Sequence, residues 1–191
     1  MAHSDCNGIL VVDKQKGWTS HDVCAFVRSR FKIKKVGHAG TLDPLATGVL
    51  VVLLGQATKK SKELSSCDKD YYGTFEFGIK TDSQDISGTI VDKKDWQHIR
   101  EEDLKGAFEK FTGVLEQMPP MVSALKHQGV RLYQLARAGK VIDREKRTIT
   151  VHEFRIEKID LPFVHFFAHV SKGTYLRTLV NDLGETLGSY A

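Results

Sequence analysis

The segment Phe163–Val170 limits the possible folds more than any other stretch of this chain. Its residues, Phe-Val-His-Phe-Phe-Ala-His-Val, are apolar on both faces apart from His165 and His169. A strand of that composition exposes apolar surface unless both sides are covered, so it belongs in the middle of a sheet. The neighbouring patterns supply partners for it. Over residues 71–79, Phe75, Phe77 and Ile79 point one way and Thr74 and Glu76 the other, the period of a half-buried strand. Thr81-Asp-Ser-Gln-Asp85 is turn chemistry, and residues 88–91 give a short partner strand. Ile149 and Val151 slip in phase before Phe154 and Ile156, which predicts a strand with a bulge.

Residues 8–12 read as a buried strand ending in a turn at 13–17, and the apolar run 49–54 as another strand. Thr19-Ser-His-Asp22 has an S/T-x-x-D capping pattern, followed by Val23, Phe26, Val27 and Phe31 at helical spacing. Leu104, Ala107, Phe108 and Phe111 form a second helical stripe closed by Gly113. Leu176, Leu179, Val180, Leu183 and Leu187 make a final helix. Strands and helices mix without regular βαβ alternation, so the expected class is α+β around a largely antiparallel sheet.

The chain has 191 residues, 41% hydrophobic and 27% charged, which fits one domain or one core with a sizeable insertion. Its longest apolar run, 49–54, is far short of the ~20 residues of a membrane span, and no secretory pattern opens the chain. Three cysteines (Cys6, Cys24, Cys67), none in a C-x-x-C pair, suit a reducing compartment and argue against disulfides or structural zinc. A cytoplasmic protein without a membrane partner is expected. Charge is concentrated. Residues 126–147 carry seven basic side chains (Lys126, Arg131, Arg137, Lys140, Arg144, Lys146, Arg147) against Asp143 and Glu145. The net charge of +4 therefore comes from this one segment, which suits either a polyanion partner or a solvated helical face.

Ser20-His21-Asp22 contains the residue types of a hydrolase triad, but triad members converge from different elements, and helix capping explains these three. His152, His165 and His169 lie at strand spacing, with the last two on one face and no carboxylate or thiol evident nearby. They read as satisfied sheet histidines, and no metal site is expected. Neither a Walker A nor a Rossmann glycine pattern occurs. In the loop 37–48, Pro44 presets an extended backbone at Asp43, and flanking glycines allow close main-chain approaches. Such a loop can present one carboxylate rigidly, as a nucleophile or acid/base requires, although Asp-Pro is also a common turn opener.

Several motifs together resemble one family. Gly37-His-Ala-Gly-Thr-Leu-Asp-Pro-Leu-Ala-Thr-Gly48 is similar to the signature of the TruB family of tRNA pseudouridine synthases, in its bacterial stand-alone form. Asp13-Lys-x-x-Gly-x-Thr-Ser20, Gly55-Gln-Ala-Thr-Lys59, Asp68-Lys-Asp-Tyr71 and Gly78-x-x-Thr-Asp-Ser83 with Asp85 follow in the family's order. Pro119-Pro-x-x-Ser-Ala-x-Lys126, Gly129-x-Arg-Leu-Tyr133 and Leu135-Ala-Arg137 resemble its RNA-gripping insertion, and Ser171-Lys-Gly-Thr-Tyr-Leu-Arg-Thr178 the motif beside its catalytic centre. Gln15 replaces the usual proline of the first motif, and Val122 stands where an aromatic is usual. Family members continue beyond the point matching Ala191, commonly into a PUA domain, so residues 1–191 are expected to be a C-terminally shortened catalytic domain with an insertion at about 119–150 and no PUA domain.

The resemblance implies a pseudouridine synthase fold and isomerisation of uridine to pseudouridine at position 55, in the TΨC loop of tRNA. That reaction needs no redox or phosphate cofactor. Asp43 is the implied catalytic carboxylate, attacking sugar or base or removing a ribose proton, with Arg177 as its partner. The target uridine must flip out of its stack. Tyr71 is implied to stack on it, Tyr175 to line the pocket, and His38 to fill the space left behind. Lys172 and Lys16 are implied to meet phosphate or polar pocket groups, with solvated lysines the other reading. Lys126, Arg131, Arg137, Arg144 and Arg147 are expected to grip the T-arm, and the protein to act as a monomer. An RNA-binding or tRNA-folding module with little turnover is the alternative.

Overall fold

A computed structural model describes residues 6–191, and the chain divides into two units after Cys67. The first unit holds β1 (Gly8–Lys14), α1 (Ser20–Phe31), β2 (Val36–His38), β3 (Gly48–Leu54), a 3-10 turn (Gly55–Lys60) and α2 (Ser61–Leu64). Its antiparallel sheet has the order β1-β3-β2, so β3 is central, and Leu50, Val52 and Leu53 on it are at most 2% exposed. Val23, Cys24 and Val27 of α1 pack on that strand with Ile33 and Val36. The helix starts where its sequence dictates: the amide of Asp22 donates to Thr19 Oγ1 (3.0 Å), and the amide of Thr19 to Asp22 Oδ2 (2.9 Å). β1 is not a buried strand. It lies at the sheet edge with Ile9 and Val11 52% and 64% exposed, because an apolar run alone does not distinguish an edge strand from a central one. Phe26 and Phe31 are likewise exposed, Phe26 meeting Trp18 edge-on at 5.8 Å.

The second unit is built on an antiparallel four-stranded sheet in which Phe163–Val170 is indeed internal. Its strands are β4 (Lys69–Glu76), β7 (Gly113–Gln117), β10 (Arg147–Asp160) and β11 (Phe163–Val170), in the order β4-β11-β10-β7. Val164, Phe166, Ala168 and Val170 face a core shared with Phe75, Phe108, Phe154, Leu179 and Leu183. Phe108 and Phe154 stack there at 4.1 Å between ring centroids. Two helices close that core, α3 (Glu101–Lys110) and α5 (Leu176–Thr186). The expected bulge falls at His152, where the register steps from Val151↔Val170 to Glu153↔His169.

Two local expectations change in the second unit. The strand over 71–79 breaks at Gly78, whose φ of +95° and crowding by Trp96, 2.8 Å from a Cβ position, redirect the chain into β5 (Ile79–Thr81), paired with β6 (Ile90–Lys93). Gly113 opens β7 rather than capping α3, which ends at Lys110 with Phe111 as its C-cap. Within residues 119–150, β8 (Lys126–His127) and β9 (Val130–Arg131) form a hairpin before α4 (Leu132–Arg137). Its two turn residues, Gln128 and Gly129, have φ of 47° and 85°, the signs of a type I′ turn. Among the described residues, no helix is long and apolar enough to cross a membrane.

Candidate active site

In the first unit, the loop between β2 and β3 is fixed on both sides of Asp43. The amide of Leu42 donates to Ser20 Oγ at 2.9 Å, and that hydroxyl lies 3.3 Å from the Leu42 carbonyl. The Pro44 carbonyl accepts from the Gly17 amide (2.8 Å) and from Lys14 Nζ (3.3 Å). The Asp43 carbonyl accepts from the Ala46 amide at 3.0 Å, closing the turn. Its main chain is therefore tied at three consecutive residues, while Asp43 itself is exposed. This is how a chain presents one carboxylate without leaving it free to wander.

Lys14 is the unexpected member. It is 0% exposed, and its ammonium donates to the carbonyls of Gln15 (3.1 Å), Trp18 (2.7 Å) and Pro44. Burial pulls its pKa down, and the negative charge of Asp43 works against that pull. Sequence reasoning points to Lys16, which the structure leaves exposed. The signal for Lys14 was present: it continues the inward phase of Leu10 and Val12, where a charge must find partners. Ser20, read from sequence as part of a cap, instead braces the Asp43 loop. His38 is half-buried on β2; its Nδ1 lies 2.6 Å from the Gly40 carbonyl, and its own carbonyl accepts from Ser61 Oγ at 3.1 Å.

In the second unit, Tyr71 is half-buried on the side of β4 that faces the core, opposite Ala168 on β11. Tyr175 precedes α5, and its backbone is gripped twice by the buried Gln117 amide: its N–H donates to Oε1 (2.8 Å) and its carbonyl accepts from Nε2 (3.0 Å). The Arg177 guanidinium donates to the carbonyls of Ser83 (2.6 Å) and Val122 (3.0 Å) and lies 3.9 Å from Asp85 Oδ2. At position 122 the bond to Arg177 comes from the backbone carbonyl. Burial works to raise the Asp85 carboxyl, but hydrogen bonds from Ser87 and Ser83 and the charge of Arg177 prevail and hold it below the ordinary aspartate range. Thr178 Oγ1 donates to Gln84 Oε1 at 2.8 Å, adding a second tie between the 81–85 turn and α5. Lys172 is exposed.

The basic segment contains two kinds of cation. Lys126, Arg131, Arg137 and Arg147 are exposed; Arg131 Nη1 reaches the Ala124 carbonyl (3.2 Å), and Arg137 lies 5.6 Å from the centre of the Tyr133 ring. Arg144 is different. It is half-buried, donates from Nη1 to the Pro119 carbonyl at 2.8 Å, and holds its Nε out of contact with solvent. It belongs to the packing around Pro119 and not to the exposed set. The sheet histidines also depart from expectation: His165 pairs with Thr74 Oγ1 (2.9 Å), whereas His152 and His169 stand beside the carboxylates of Asp68 and Asp70.

Residues 28–176 match the family model described as TruB family pseudouridylate synthase (N terminal domain). The chain is 48% identical over 182 residues to tRNA pseudouridine synthase B of Geobacter sulfurreducens, covering 95% of this chain and 60% of that protein. It is 45% identical over 184 residues to the protein of the same name from Opitutus terrae, covering 96% and 76%. Among solved structures, it is similar to a chain in the crystal structure of a Cbf5-Nop10-Gar1 complex, with a TM-score of 0.71 and 29% identity over 96% of this chain and 46% of that one. A chain in a structure of an H/ACA RNP bound to a substrate RNA containing 2′-deoxyuridine gives a TM-score of 0.67 at 25% identity, covering 96% and 44%. The chain thus spans about three fifths of the Geobacter relative's length.

Proposed function

The chain belongs to the TruB family of pseudouridylate synthases, and from that premise we propose that it isomerises uridine to pseudouridine in tRNA. Support comes from relatives at 45–48% identity that carry the name tRNA pseudouridine synthase B. The likeness to chains of H/ACA complexes is weaker, at 25–29% identity, which favours a stand-alone tRNA enzyme over a guide-RNA-directed one. The single observation that carries the reading is the clamped loop at Asp43. An isomerisation that breaks the C1′–N1 bond and forms C1′–C5 develops positive charge on the sugar, and a fixed carboxylate answers that demand, as in glycoside hydrolysis. Atoms balance within the nucleotide: C5 loses a proton as N1 gains one, and no redox partner is consumed.

In this reading the target is the uridine at position 55 of the TΨC loop. Asp43 is the catalytic carboxylate, whether it attacks sugar or base or removes a ribose proton. Tyr71 stacks on the flipped base, a contact worth roughly 1–3 kcal/mol by analogy with other base–aromatic pairs. Tyr175 and Arg177, set on the start of α5 by Gln117 and by the 81–85 turn, complete the binding of the nucleotide, with His38 and Lys172 as further substrate contacts. Lys16 becomes an exposed contact at most, and Lys14 the residue that positions Asp43. Lys126, Arg131, Arg137 and Arg147 grip the phosphates of the T-arm. The test is incubation of this chain with an unmodified tRNA transcript and mapping of the product by carbodiimide-dependent primer-extension arrest. A stop at position 55 is expected. Binding of the transcript without any stop would make the chain an RNA-binding module instead.

A further inference from the structure

We propose that the outer face of the second unit's sheet carries a binding site for a zinc-class divalent cation, formed by Asp68, His152 and His169. The three side chains come from neighbouring strands. His169 lies on β11, Asp68 directly precedes β4 on one side of it, and His152 lies on β10 on the other. One ligand atom from each lies within 4.8 Å of the others, and Asp68 Oδ2 is already 2.9 Å from His152 Nε2. The two imidazole rings stand 4.8 Å apart between centroids. A tetrahedral cation bonding nitrogen and oxygen at about 2.0–2.2 Å spaces its ligands about 3.3–3.5 Å apart, so the Asp68–His152 pair must open slightly and the longer separations close, by rotation of half-exposed side chains.

The strand register keeps the two histidines on one face. A regular strand would send His152 outward and Glu153 inward, but the bulge at His152 turns both out before Phe154 returns to the core. An unbulged register would pair His152 with His169 directly; the bulge sets Glu153 opposite His169 and leaves His152 beside it on the same outer face. On the other edge, Asp70 sits directly opposite His169, and its Oδ1 lies 2.5 Å from Nδ1 of that ring. A carboxylate on one nitrogen of a histidine fixes the tautomer and raises the basicity of the other nitrogen, the usual support behind a metal-bound imidazole. Two imidazoles and one carboxylate suit zinc and its divalent neighbours, whereas calcium and magnesium take oxygen ligands. With three protein ligands at a half-exposed surface, a fourth position remains for water. The cation would tie three adjacent strands together on the face away from Tyr71.

The experiment is calorimetric titration of the full chain with zinc chloride in chelator-free buffer, with cobalt(II) absorption as a spectroscopic readout of coordination. The wild type is expected to bind one equivalent, and the paired change His152→Gln with His169→Gln to abolish that binding. Asp70→Asn should weaken it by about tenfold through the supporting hydrogen bond. His98→Gln, on an exposed histidine beside Asp95, serves as a control and should bind as wild type. Circular dichroism without metal establishes that each variant is folded, and Asp68→Asn, which keeps side-chain shape, gives an independent loss of binding. Absence of stoichiometric binding by wild type, or binding unchanged in the paired variant, would overturn the proposal and leave the cluster as histidine–aspartate pairs only.

Discussion

The Asp43 loop and the basic segment 126–147 are both polar connections punctuated by glycine, and they solve opposite problems. In the loop, polar side chains from elsewhere in the first unit turn inward to hold backbone: Ser20 on Leu42, Lys14 on Pro44. In the segment, most polar side chains turn outward, and anchoring falls to the buried Leu132 and to Arg144 on Pro119. Chemistry on a nucleotide needs one carboxylate at one place. Holding a polyanion needs many charges within reach, and their exact placement matters less.

The sharpest way to break this contrast is to cut the clamp. Lys14→Ala leaves the carbonyls of Gln15, Trp18 and Pro44 without their shared donor and should cost about 3 kcal/mol in urea unfolding. Pseudouridine formation in a single turnover should slow by about 100-fold, the scale of a small misplacement at a reacting centre. Lys14→Met fills the volume without the ammonium, so it should recover part of the stability and little of the rate. A normal rate in either variant would mean that the loop is rigid without Lys14.

The basic segment should respond in the opposite sense. Changing Arg131, Arg137 and Arg147 together to Gln should flatten the dependence of log affinity on log salt by about two units, with folding and the rate at saturating tRNA preserved. Arg144→Gln, in the same segment, should leave that slope almost unchanged and lower stability by about 1–2 kcal/mol through the lost bond to Pro119. Filter binding at several salt concentrations separates the two classes. An Arg144 variant that shifts the slope as much as any other arginine would place its guanidinium on RNA.

The smallest effect belongs to Asp85, which ties the 81–85 turn to Arg177. Its pKa lies below the unfolded value of about 3.8, so its contribution to stability is complete above that value and fades as pH falls through the folded one. Asp85→Asn should therefore be less stable than wild type at neutral pH, and the gap should narrow on acidification below about pH 4. A gap that stays constant down to strong acid would remove Asp85 from that linkage.

The contrast also marks what local pattern reveals. The internal place of Phe163–Val170, the bulge before Phe154 and the Thr19–Asp22 box were all legible, because each is written in the period or spacing of adjacent residues. The edge position of β1 was not, since an apolar run reads alike at the edge and the centre. The clamp was missed for a related reason: Ser20 meets Leu42 and Lys14 meets Pro44 across 22 and 30 residues. Only the inward phase of Lys14 hinted at it. The carboxylates beside His152 and His169 depend on the register of three strands, which no single segment specifies. Arg144 shares the charge and neighbourhood of the other arginines, and only the fold shows it turned toward Pro119.

The most direct test of the account is Asp43→Asn, which keeps the size of the side chain and much of its hydrogen bonding while removing the carboxylate. Pseudouridine formation on an unmodified tRNA transcript would be followed beside wild type, together with tRNA affinity by filter binding. Product at background is expected, with affinity within about tenfold of wild type, a difference of about 1.4 kcal/mol or less. Appreciable pseudouridine formed by Asp43→Asn would contradict it and place the chemistry on another residue.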